Sequence, residues 1–301
     1  MSFGAFFLQE PDLFPGRCSG ERWGADEVRL DIAGGPYRLE GLSLAQASVL
    51  RRELAPRCLD PGPPGGDFSI AIYRAPEGDF RSFPVQGWTT SFDLDSLPTA
   101  VRIAGRRFMA RVEMGSSAAL WTSSDGDADF HGLAENFLRV VVAHRALDAG
   151  GVLLHSAAVV RDGRAFVFFG PSGAGKSTLS GLSAARGYEV LSDELNALFE
   201  DQEGYVVERL PFAGDFGRSS GERRRFPLAG IFRLTQGIPA ARTALSGARA
   251  LGALLAAAPF VNNDDLRSER LSGNLERLVR RVRPETLRFS LDPGFWDILP
   301  S

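Results

Sequence analysis

The sequence predicts a mixed α/β protein, with a sheet-rich first part and a second part built around a glycine-rich loop. The first part, 1–130, holds short runs of β-favouring residues separated by turn clusters such as 61–66. In the second part, the apolar run 164–169 precedes a glycine-rich segment and then a helical pattern at 178–186. A strand, a tight turn and a helix in this order are typical of an α/β unit.

Composition narrows the classes of protein that need to be considered. The 301 residues are 44% hydrophobic and 24% charged, as in globular proteins that work in water. A net charge of −3 argues against a general nucleic-acid binder. The longest apolar candidate, 152–169, is interrupted by His155 and three charged residues, so no membrane contact is expected. Cys18 and Cys58 lack metal-ligand spacing, and 1–10 has no basic start, which together favour a cytoplasmic location.

The elements of the first part follow from β-favouring runs and one helical pattern. Strands are predicted at 27–32, 68–73, 100–103 and 107–114. The segment 43–54 has the pattern of a helix. No motif with a chemical function occurs here, and Trp23, Trp88 and Trp121 are interpreted as packing residues. We therefore expect a sheet-rich domain over 1–130.

A long helix is predicted to lead into the second domain. Asp127–Asp129 offers an N-cap, apolar side chains such as Phe137 recur on one side, and Gly150–Gly151 ends the helix. The second domain is therefore placed at 131–301, and its first element is a bridging helix at 131–149.

A hairpin is predicted directly after this helix. Two apolar runs, 152–160 and 164–169, flank Asp162 and Gly163, and an Asp-Gly pair between such runs is a strong hairpin signal. A hairpin that feeds straight into the glycine-rich loop differs from the plain βαβ opening of small GTPases and nucleotide monophosphate kinases.

The glycine-rich segment matches the phosphate-binding pattern GxxxxGK[ST]. Its residues are Gly170, Pro171, Ser172, Gly173, Ala174, Gly175, Lys176, Ser177 and Thr178. The glycines let successive backbone N–H groups turn inward, and the following helix directs its positive dipole end to the same place. Lys176 supplies a charge for the β- and γ-phosphates, and the Ser177 hydroxyl suits the Mg²⁺ shell. The segment therefore predicts a nucleotide site that takes ATP and Mg²⁺.

Two acidic residues follow the strand predicted at 188–191. Asp193 comes at the C-terminal end of that strand, where ligands gather in α/β sheets. Beside ATP and Mg²⁺, such a carboxylate can hold the metal or deprotonate an attacking hydroxyl. Neighbours on a strand point to opposite faces, so Glu194 joins Asp193 as a metal ligand only if the strand bends there.

His155 lies in the first strand of the predicted hairpin and has two interpretations. A lone histidine in an apolar strand is usually a hydrogen-bonded core residue. The pairing of this strand with the one that enters the loop could instead bring His155 beside the phosphates, where it would polarise Asp193 or bind a γ-phosphate oxygen. His131 and His144 fall on the bridging helix and suggest no metal cluster.

The remainder of the chain alternates strands, one polar loop and helices. The predicted elements are a hairpin of 195–199 and 205–210, a strand at 226–234, helices at 240–258 and 263–281, a strand at 286–291 and a helical turn at 294–299. The segment 212–225 is rich in Gly, Ser and Arg and predicts a mobile loop. Arg218, Arg223, Arg224 and Arg225 are either a solvated charge run or a clamp for phosphate or an acidic partner.

Taken together, these motifs resemble the HPr kinase/phosphorylase family, and more narrowly its HPr-kinase-related bacterial kinases. The matching positions are His155, Gly170–Ser177, Arg186–Gly187, Asp193 and Glu194. The resemblance implies a P-loop on a largely antiparallel sheet, a fold shared with phosphoenolpyruvate carboxykinases. It also implies that His155 and Asp193 assist phosphoryl transfer and that Glu194 helps bind the metal.

The chain departs from that family in two places besides its different first half. Glu194 stands where the family has a second Asp, and 210–215 stands where true members carry a Glu-containing signature segment. The resemblance therefore implies kinase activity and leaves phosphorolysis open.

The sequence thus leads to one hypothesis and its alternatives. The hypothesis is an ATP- and Mg²⁺-dependent kinase that transfers the γ-phosphate to a hydroxyl of a protein or peptide serine. Lys176 would neutralise phosphate, Asp193 would take the proton, and domain 1–130 is a candidate for acceptor recognition. The alternatives are a small-molecule kinase acting on an amino acid or metabolite alcohol, and a nucleotide-gated binding module without an acceptor. Phosphoenolpyruvate carboxykinase activity is disfavoured because no added basic and metal-ligand set is present, and a homo-oligomer is left open.

Overall fold

The protein contains two compact units, each with its own large mixed sheet. The computed structural model describes residues 20–62, 65–80, 85–86, 89–90, 92–214, 217–218 and 223–300. The chain divides into Met1–Arg145 and Ala146–Ser301. The mixed α/β class predicted from the sequence is confirmed. The division falls near the end of the bridging helix, whereas the sequence places the boundary before that helix, at 130.

The first unit is built on an eight-stranded sheet. Its strands are β1 (Asp26–Ile32), β2 (Gly35–Leu42), β3 (Cys58–Leu59), β4 (Phe68–Arg74), β7 (Phe92–Ser96), β8 (Ala100–Gly105), β9 (Phe108–Glu113) and β10 (Ser117–Thr122), with β5 (Val85–Gln86) and β6 (Thr89–Thr90) forming a separate pair. The order in the sheet is β3-β1-β2-β4-β10-β9-β8-β7. The pairs β2–β4 and β4–β10 are parallel, and the others are antiparallel.

The sheet of the first unit alternates between buried and partly exposed faces. Along β4, Phe68, Ile70 and Ile72 are buried, and the residues between them are not, as the period of two in a strand requires. On the more exposed face, the rings of Tyr73 and Trp121 stack with centroids 5.4 Å apart. The predicted packing residue Trp88 lies outside the described residues.

Helix α1 (Leu44–Glu53) begins at a capping box, as the predicted segment 43–54 suggests. The Ser43 hydroxyl accepts a hydrogen bond from the Gln46 amide, and the Gln46 side chain accepts from the Ser43 amide. Helix α2 (Ala128–Asp148) corresponds to the predicted bridging helix and begins three residues earlier than 131.

The second unit contains the glycine-rich loop and a sheet that is also mixed. Its strands are β11 (Val152–Arg161), β12 (Arg164–Phe169), β13 (Glu189–Ser192), β14 (Leu195–Glu200), β15 (Tyr205–Glu208), β16 (Ala213–Gly214), β17 (Gly217–Arg218), β18 (Arg225–Gln236), β19 (Ala241–Ala244) and β20 (Glu285–Phe289). The main order is β12-β11-β14-β15-β18-β20-β19, with β13 beside β11 and with β12 also paired to β18. The pairings are antiparallel except β12–β18 and β18–β20, and β16 and β17 form a separate hairpin.

The predicted hairpin before the loop is present. Strands β11 and β12 pair antiparallel with Arg161 opposite Arg164. Both turn residues, Asp162 at φ 53° and Gly163 at φ 77°, take positive φ, the conformation that a two-residue turn of the favoured type needs.

Three helices complete the second unit. Helix α3 (Lys176–Ala185) follows the loop, and α4 (Gly247–Ala256) and α5 (Ser268–Val282) come later in the chain. Helix α3 packs with Leu179 against an apolar core that includes Phe168, Phe289 and Trp296. This core fixes the end of β12 against the start of α3, which is where the loop lies.

One predicted helix begins too early. The sequence predicts a helix from 240, yet Ala241–Ala244 is strand β19, paired antiparallel with β20. The guanidinium of Arg242 pairs with Glu285 at 2.6 Å on that neighbouring strand. This pairing across the chain outweighs the local helical preference of the alanines.

Helices that could cross a membrane were not expected. No helix in the described part of the chain combines the length and the apolar composition that a crossing requires.

Candidate functional site

The glycine-rich loop joins the end of β12 to the start of α3, as the motif predicts. Gly175 is the N-cap of α3 at φ 101°, and Gly173 has φ 79°. The first hydrogen bond of the helix runs from the Leu179 amide to the Gly175 carbonyl, at 2.8 Å. The amides of the preceding helical residues therefore lie at the positive end of the helix dipole, an arrangement suited to an anion.

The glycines meet two different requirements. A Cβ at Gly175 would lie 2.8 Å from Cζ of Phe289, so the loop packs directly onto β20 there. A Cβ at Gly173 would meet no atom within 4 Å, so this glycine is needed for its backbone conformation and leaves open space beside the loop.

Some residues of the motif build the turn instead of facing the cavity. The Ala174 amide donates to the Pro171 carbonyl at 3.1 Å, which closes the turn. A Cβ at Gly170 would lie 2.8 Å from the Ala174 Cβ, so these two residues are in close contact.

Lys176 is a buried cation. Its side chain is only 8% exposed, and Nζ donates to the Gly170 carbonyl at 3.3 Å. Burial lowers the pKa of Lys176, and the nearby charges of Asp193 and Glu194 oppose that change. A polyphosphate bound at the loop would add further negative charge beside this ammonium group and favour its charged form.

Ser177 and Asp193 are joined by a hydrogen bond. The Ser177 hydroxyl donates to Oδ2 of Asp193 at 2.8 Å, and Asp193 is 5% exposed. Asp193 directly follows β13, which pairs with β11. The strand after the loop helix thus places Asp193, the residue that follows it, beside the first turn of that helix.

The chain bends at the two acids, which meets the condition for both to serve one site. The Ser192 hydroxyl accepts from the amides of Glu194 at 3.0 Å and Leu195 at 3.2 Å. These bonds turn the backbone after β13. Asp193 and Glu194 consequently line the same cavity.

His155 faces that cavity instead of the apolar core. It is the one exposed residue within the otherwise buried first nine positions of β11, and its backbone pairs with Leu195 on β14. Its amide donates to the Ala257 carbonyl at 2.7 Å. Of the two interpretations of this histidine, the geometry supports the position beside the loop.

A cavity of about 390 Å³ brings these side chains together. Its lining residues come from the loop, from β11, from the bend after β13 and from the end of β18: His155, Ser172, Gly173, Gly175, Lys176, Ser177, Thr178, Asp193, Glu194 and Gln236. Among the described residues, those of the cavity included, no group of three or more His, Cys, Asp and Glu is placed to hold a metal ion.

Two contributors to this site were not foreseen. Gln236, the last residue of β18, donates from Nε2 to the Gly173 carbonyl at 2.9 Å. Gly214 lies so close that a Cβ there would come within 2.3 Å of Oδ1 of Asp193. Gln236 reaches the loop because β18 pairs in parallel with β12, and ligand sites gather at the carboxyl ends of such strands.

The loop arginines have a structural role that neither sequence interpretation anticipated. The Arg223 and Arg225 guanidinium groups donate to the two oxygens of Glu208, at 2.6 and 2.9 Å, and Glu208 is fully buried. Arg224 lies over the ring of Phe226 at 4.8 Å. These groups therefore anchor 223–225. The side chain of Arg218 and residues 215–216 and 219–222 of the predicted mobile loop lie outside the described part of the chain.

The fold and the site define the class as a mixed α/β protein with a strand–glycine loop–helix element and a carboxylate hydrogen-bonded to that element. Within this class, the family model for the SynChlorMet cassette protein ScmC matches residues 122–299, more than half of the chain. The chain belongs to the ScmC family.

Other comparisons give less. No curated protein matches the chain. Among solved structures, the chain is similar to the Hpr(Ser) kinase/phosphatase from Coxiella burnetii, at 12% identity over 46% of this chain and 85% of that one, with a TM-score of 0.26. A likeness at this TM-score carries no argument about fold or function.

Proposed function

We propose that this protein is an ATP- and Mg²⁺-dependent kinase that transfers a phosphoryl group to the hydroxyl of a serine in a protein or peptide. The observation that carries the proposal is the Ser177–Asp193 hydrogen bond of 2.8 Å inside a cavity that also holds a buried lysine. The resemblance of the sequence motifs to HPr-kinase-related kinases supports the same activity.

The residues fit the two ligands that the proposal needs. Mg²⁺ takes oxygen ligands at 2.0–2.1 Å in an octahedron, so adjacent ligands lie about 2.9 Å apart. The Ser177 and Asp193 oxygens are 2.8 Å apart and can serve as such neighbours, with Glu194 as a further oxygen donor in the cavity. The loop amides and Lys176 present the positive charge that a triphosphate requires.

Each of these residues then has a defined part in the transfer. When bound, ATP supplies the phosphoryl group and Mg²⁺ offsets its charge. The loop amides and Lys176 would hold the phosphates in place, and Ser177, Glu194 and one oxygen of Asp193 would hold the metal. Asp193 accepts the proton of the attacking hydroxyl, and His155 orients that carboxylate or contacts a phosphate oxygen. Positioning and charge stabilisation supply most of the rate in such sites.

The test is the variant Asp193→Asn, which keeps the shape of the side chain and removes its charge. We expect it to bind ATP and to lose phosphotransfer by about 10²–10⁴-fold, the usual contribution of a general base. Labelled ATP would be offered with a protein lysate and, separately, with a pool of metabolites. Full transfer by the variant would refute the assignment of the base.

The same experiment separates the alternatives. Label in the lysate supports a protein or peptide acceptor, and label only in the metabolite pool identifies a small-molecule kinase. ATP binding without hydrolysis or transfer in the wild-type protein would identify a nucleotide-gated binding module.

A further inference from the structure

Two large apolar side chains are exposed just beyond the ends of β18 and β20, the strands whose last residues contact the phosphate loop. Ile238 is 78% exposed and Leu291 is 80% exposed. Each lies two residues beyond the last pair of the parallel β18–β20 ladder, Gln236 and Phe289. Because the two strands run in the same direction, both side chains follow the same end of the sheet. We call Ile238 and Leu291 the apolar rim.

The apolar rim is continuous with the loop through the two strand ends. Gln236 contacts the Gly173 carbonyl at 2.9 Å, and the Phe289 ring lies against Gly175. The cavity that holds the acids also has Gln236 in its wall. The rim residues therefore follow, two positions later, the two strand ends that contact the loop.

The backbone that carries the rim is held by hydrogen bonds. The Gly237 amide donates to the Phe289 carbonyl at 2.9 Å. The Arg288 guanidinium donates from Nε to the Pro239 carbonyl, also at 2.9 Å. These hydrogen bonds fix the backbone next to the apolar side chains. Less conformational entropy is therefore lost when a ligand packs on them.

The strand order places the rim and the acids on opposite sides of the loop. Strand β12 enters the loop between β11 and β18. Asp193 follows β13, which pairs with β11, while the rim follows β18 and β20. In an in-line transfer, the attacking hydroxyl and the leaving nucleoside diphosphate lie on opposite sides of the transferred phosphorus. An acceptor beside Asp193 therefore directs the nucleoside toward the rim.

We infer that Ile238 and Leu291 form the contact surface for the purine base of the bound nucleotide, an inference that rests on the proposed function. Single exposed apolar side chains are common on proteins, but ligand sites combine apolar walls with a few polar anchors. Here the loop provides the polar anchors for the phosphates, and the rim provides apolar area for one face of the base. Gln236 lies between the two parts.

The test compares Mg·ATP with Mg·tripolyphosphate, which has the phosphates and lacks the nucleoside. Their affinities would be measured by calorimetry for the wild type, for the double variant Ile238→Ser with Leu291→Ser, and for Leu266→Ser. Leu266 is a matched control because it is also an exposed leucine, at 56%, and is not part of the rim. We expect the double variant to bind ATP about tenfold more weakly, as loss of a small apolar contact area predicts, and to bind tripolyphosphate as the wild type does.

Each other outcome overturns a defined part of the argument. Equal weakening of both ligands, or unchanged ATP affinity, would refute the base-contact role of the rim. An altered sedimentation coefficient with unchanged ATP affinity would refute it too and would assign the rim to contact between copies. If the wild type bound neither ligand, the proposed function itself would fail. Because both rim residues are exposed, thermal melting of the double variant is expected to match that of the wild type, so a folding defect would be visible.

Discussion

At the scale of single residues, Lys176 is a group whose charge destabilises the protein until a ligand binds beside it. Its ammonium group is buried and its pKa is lowered by that burial, although two carboxylates lie near enough to oppose the change. In the protein without ligand, the buried charge of Lys176 therefore lowers the free energy of unfolding. A bound polyphosphate would offset this loss of stability, because its negative charge stabilises the ammonium group.

This leads to a prediction for Lys176→Met, which keeps the length of the side chain and removes the charge. We expect the unliganded variant to melt at the same temperature as the wild type or higher, and to lose the rise in Tm that Mg·ATP produces. Thermal melts with and without Mg·ATP measure both effects.

The pH dependence of that difference follows from the sign of the pKa shift. A lysine with a lowered folded-state pKa costs stability at every pH below that pKa, and the cost vanishes as pH rises above the unfolded value of about 10.4. Any gain in Tm of Lys176→Met should therefore be greatest near neutral pH and disappear in strong alkali. A variant that melts well below the wild type at neutral pH would contradict this account.

At the scale of elements, the sequence predicted best the parts whose geometry is local. The β11–β12 hairpin follows from Asp162 and Gly163, which take the positive φ values that the turn requires. The capping box at Ser43 and the glycine loop are local in the same sense. Strand β19 was missed because its pairing with β20 joins segments more than forty residues apart.

The candidate site was predictable to the same degree. The loop, Asp193 and His155 belong to recognisable local patterns, and the structure brings them to one cavity. Gln236 and Gly214 could not be found, because their positions depend on the register of β12 with β18 and on a hairpin that lies on Asp193. Neither contact leaves a pattern in the neighbouring sequence.

The last residues of the arginine-rich segment are held by one buried carboxylate, that of Glu208. Glu208 on β15 is fully buried and pairs with Arg223 and Arg225, while the Arg209 amide donates to the Arg224 carbonyl at 3.0 Å. Removing the charge of Glu208 would leave two partly exposed guanidinium groups without their carboxylate and a buried side chain with weaker hydrogen bonds. These contacts thus join the end of β15 to the last residues of the segment, 223–225.

We predict that Glu208→Gln destabilises the fold by about 1.5–3 kcal/mol, the range for hydrogen bonds to charged groups, because the arginine partners are 23% and 50% exposed. Glu285→Gln is the matched control, because Glu285 pairs with Arg242 at 2.6 Å but both are 30% exposed. The control should cost less than about 1 kcal/mol. Urea unfolding measures both values, and equal effects of the two substitutions would show that burial of Glu208 is not what matters.

At the scale of the whole molecule, the site belongs to one of the two units. All residues that line the cavity fall in Ala146–Ser301, and so do both residues of the apolar rim. The first unit contributes a complete sheet with its own buried face. We therefore expect the nucleotide to stabilise the second unit directly and the first unit only as far as the two unfold together.

Hydrogen exchange on the intact chain tests whether the nucleotide stabilises the second unit and not the first. At a ligand concentration of 100 times Kd, binding stabilises the ligand-competent state by about 2.7 kcal/mol, or roughly 100-fold in the exchange of amides that open with it. We predict that Mg·ATP slows exchange in 170–178 and in the strands of the second unit, and leaves β1, β4 and β10 unchanged. Lys176→Met is the control, because it should show no slowing in either unit. Equal slowing in the first unit would mean that the nucleotide couples the two units energetically, and recognition of an acceptor by the first unit would then be tied to nucleotide binding.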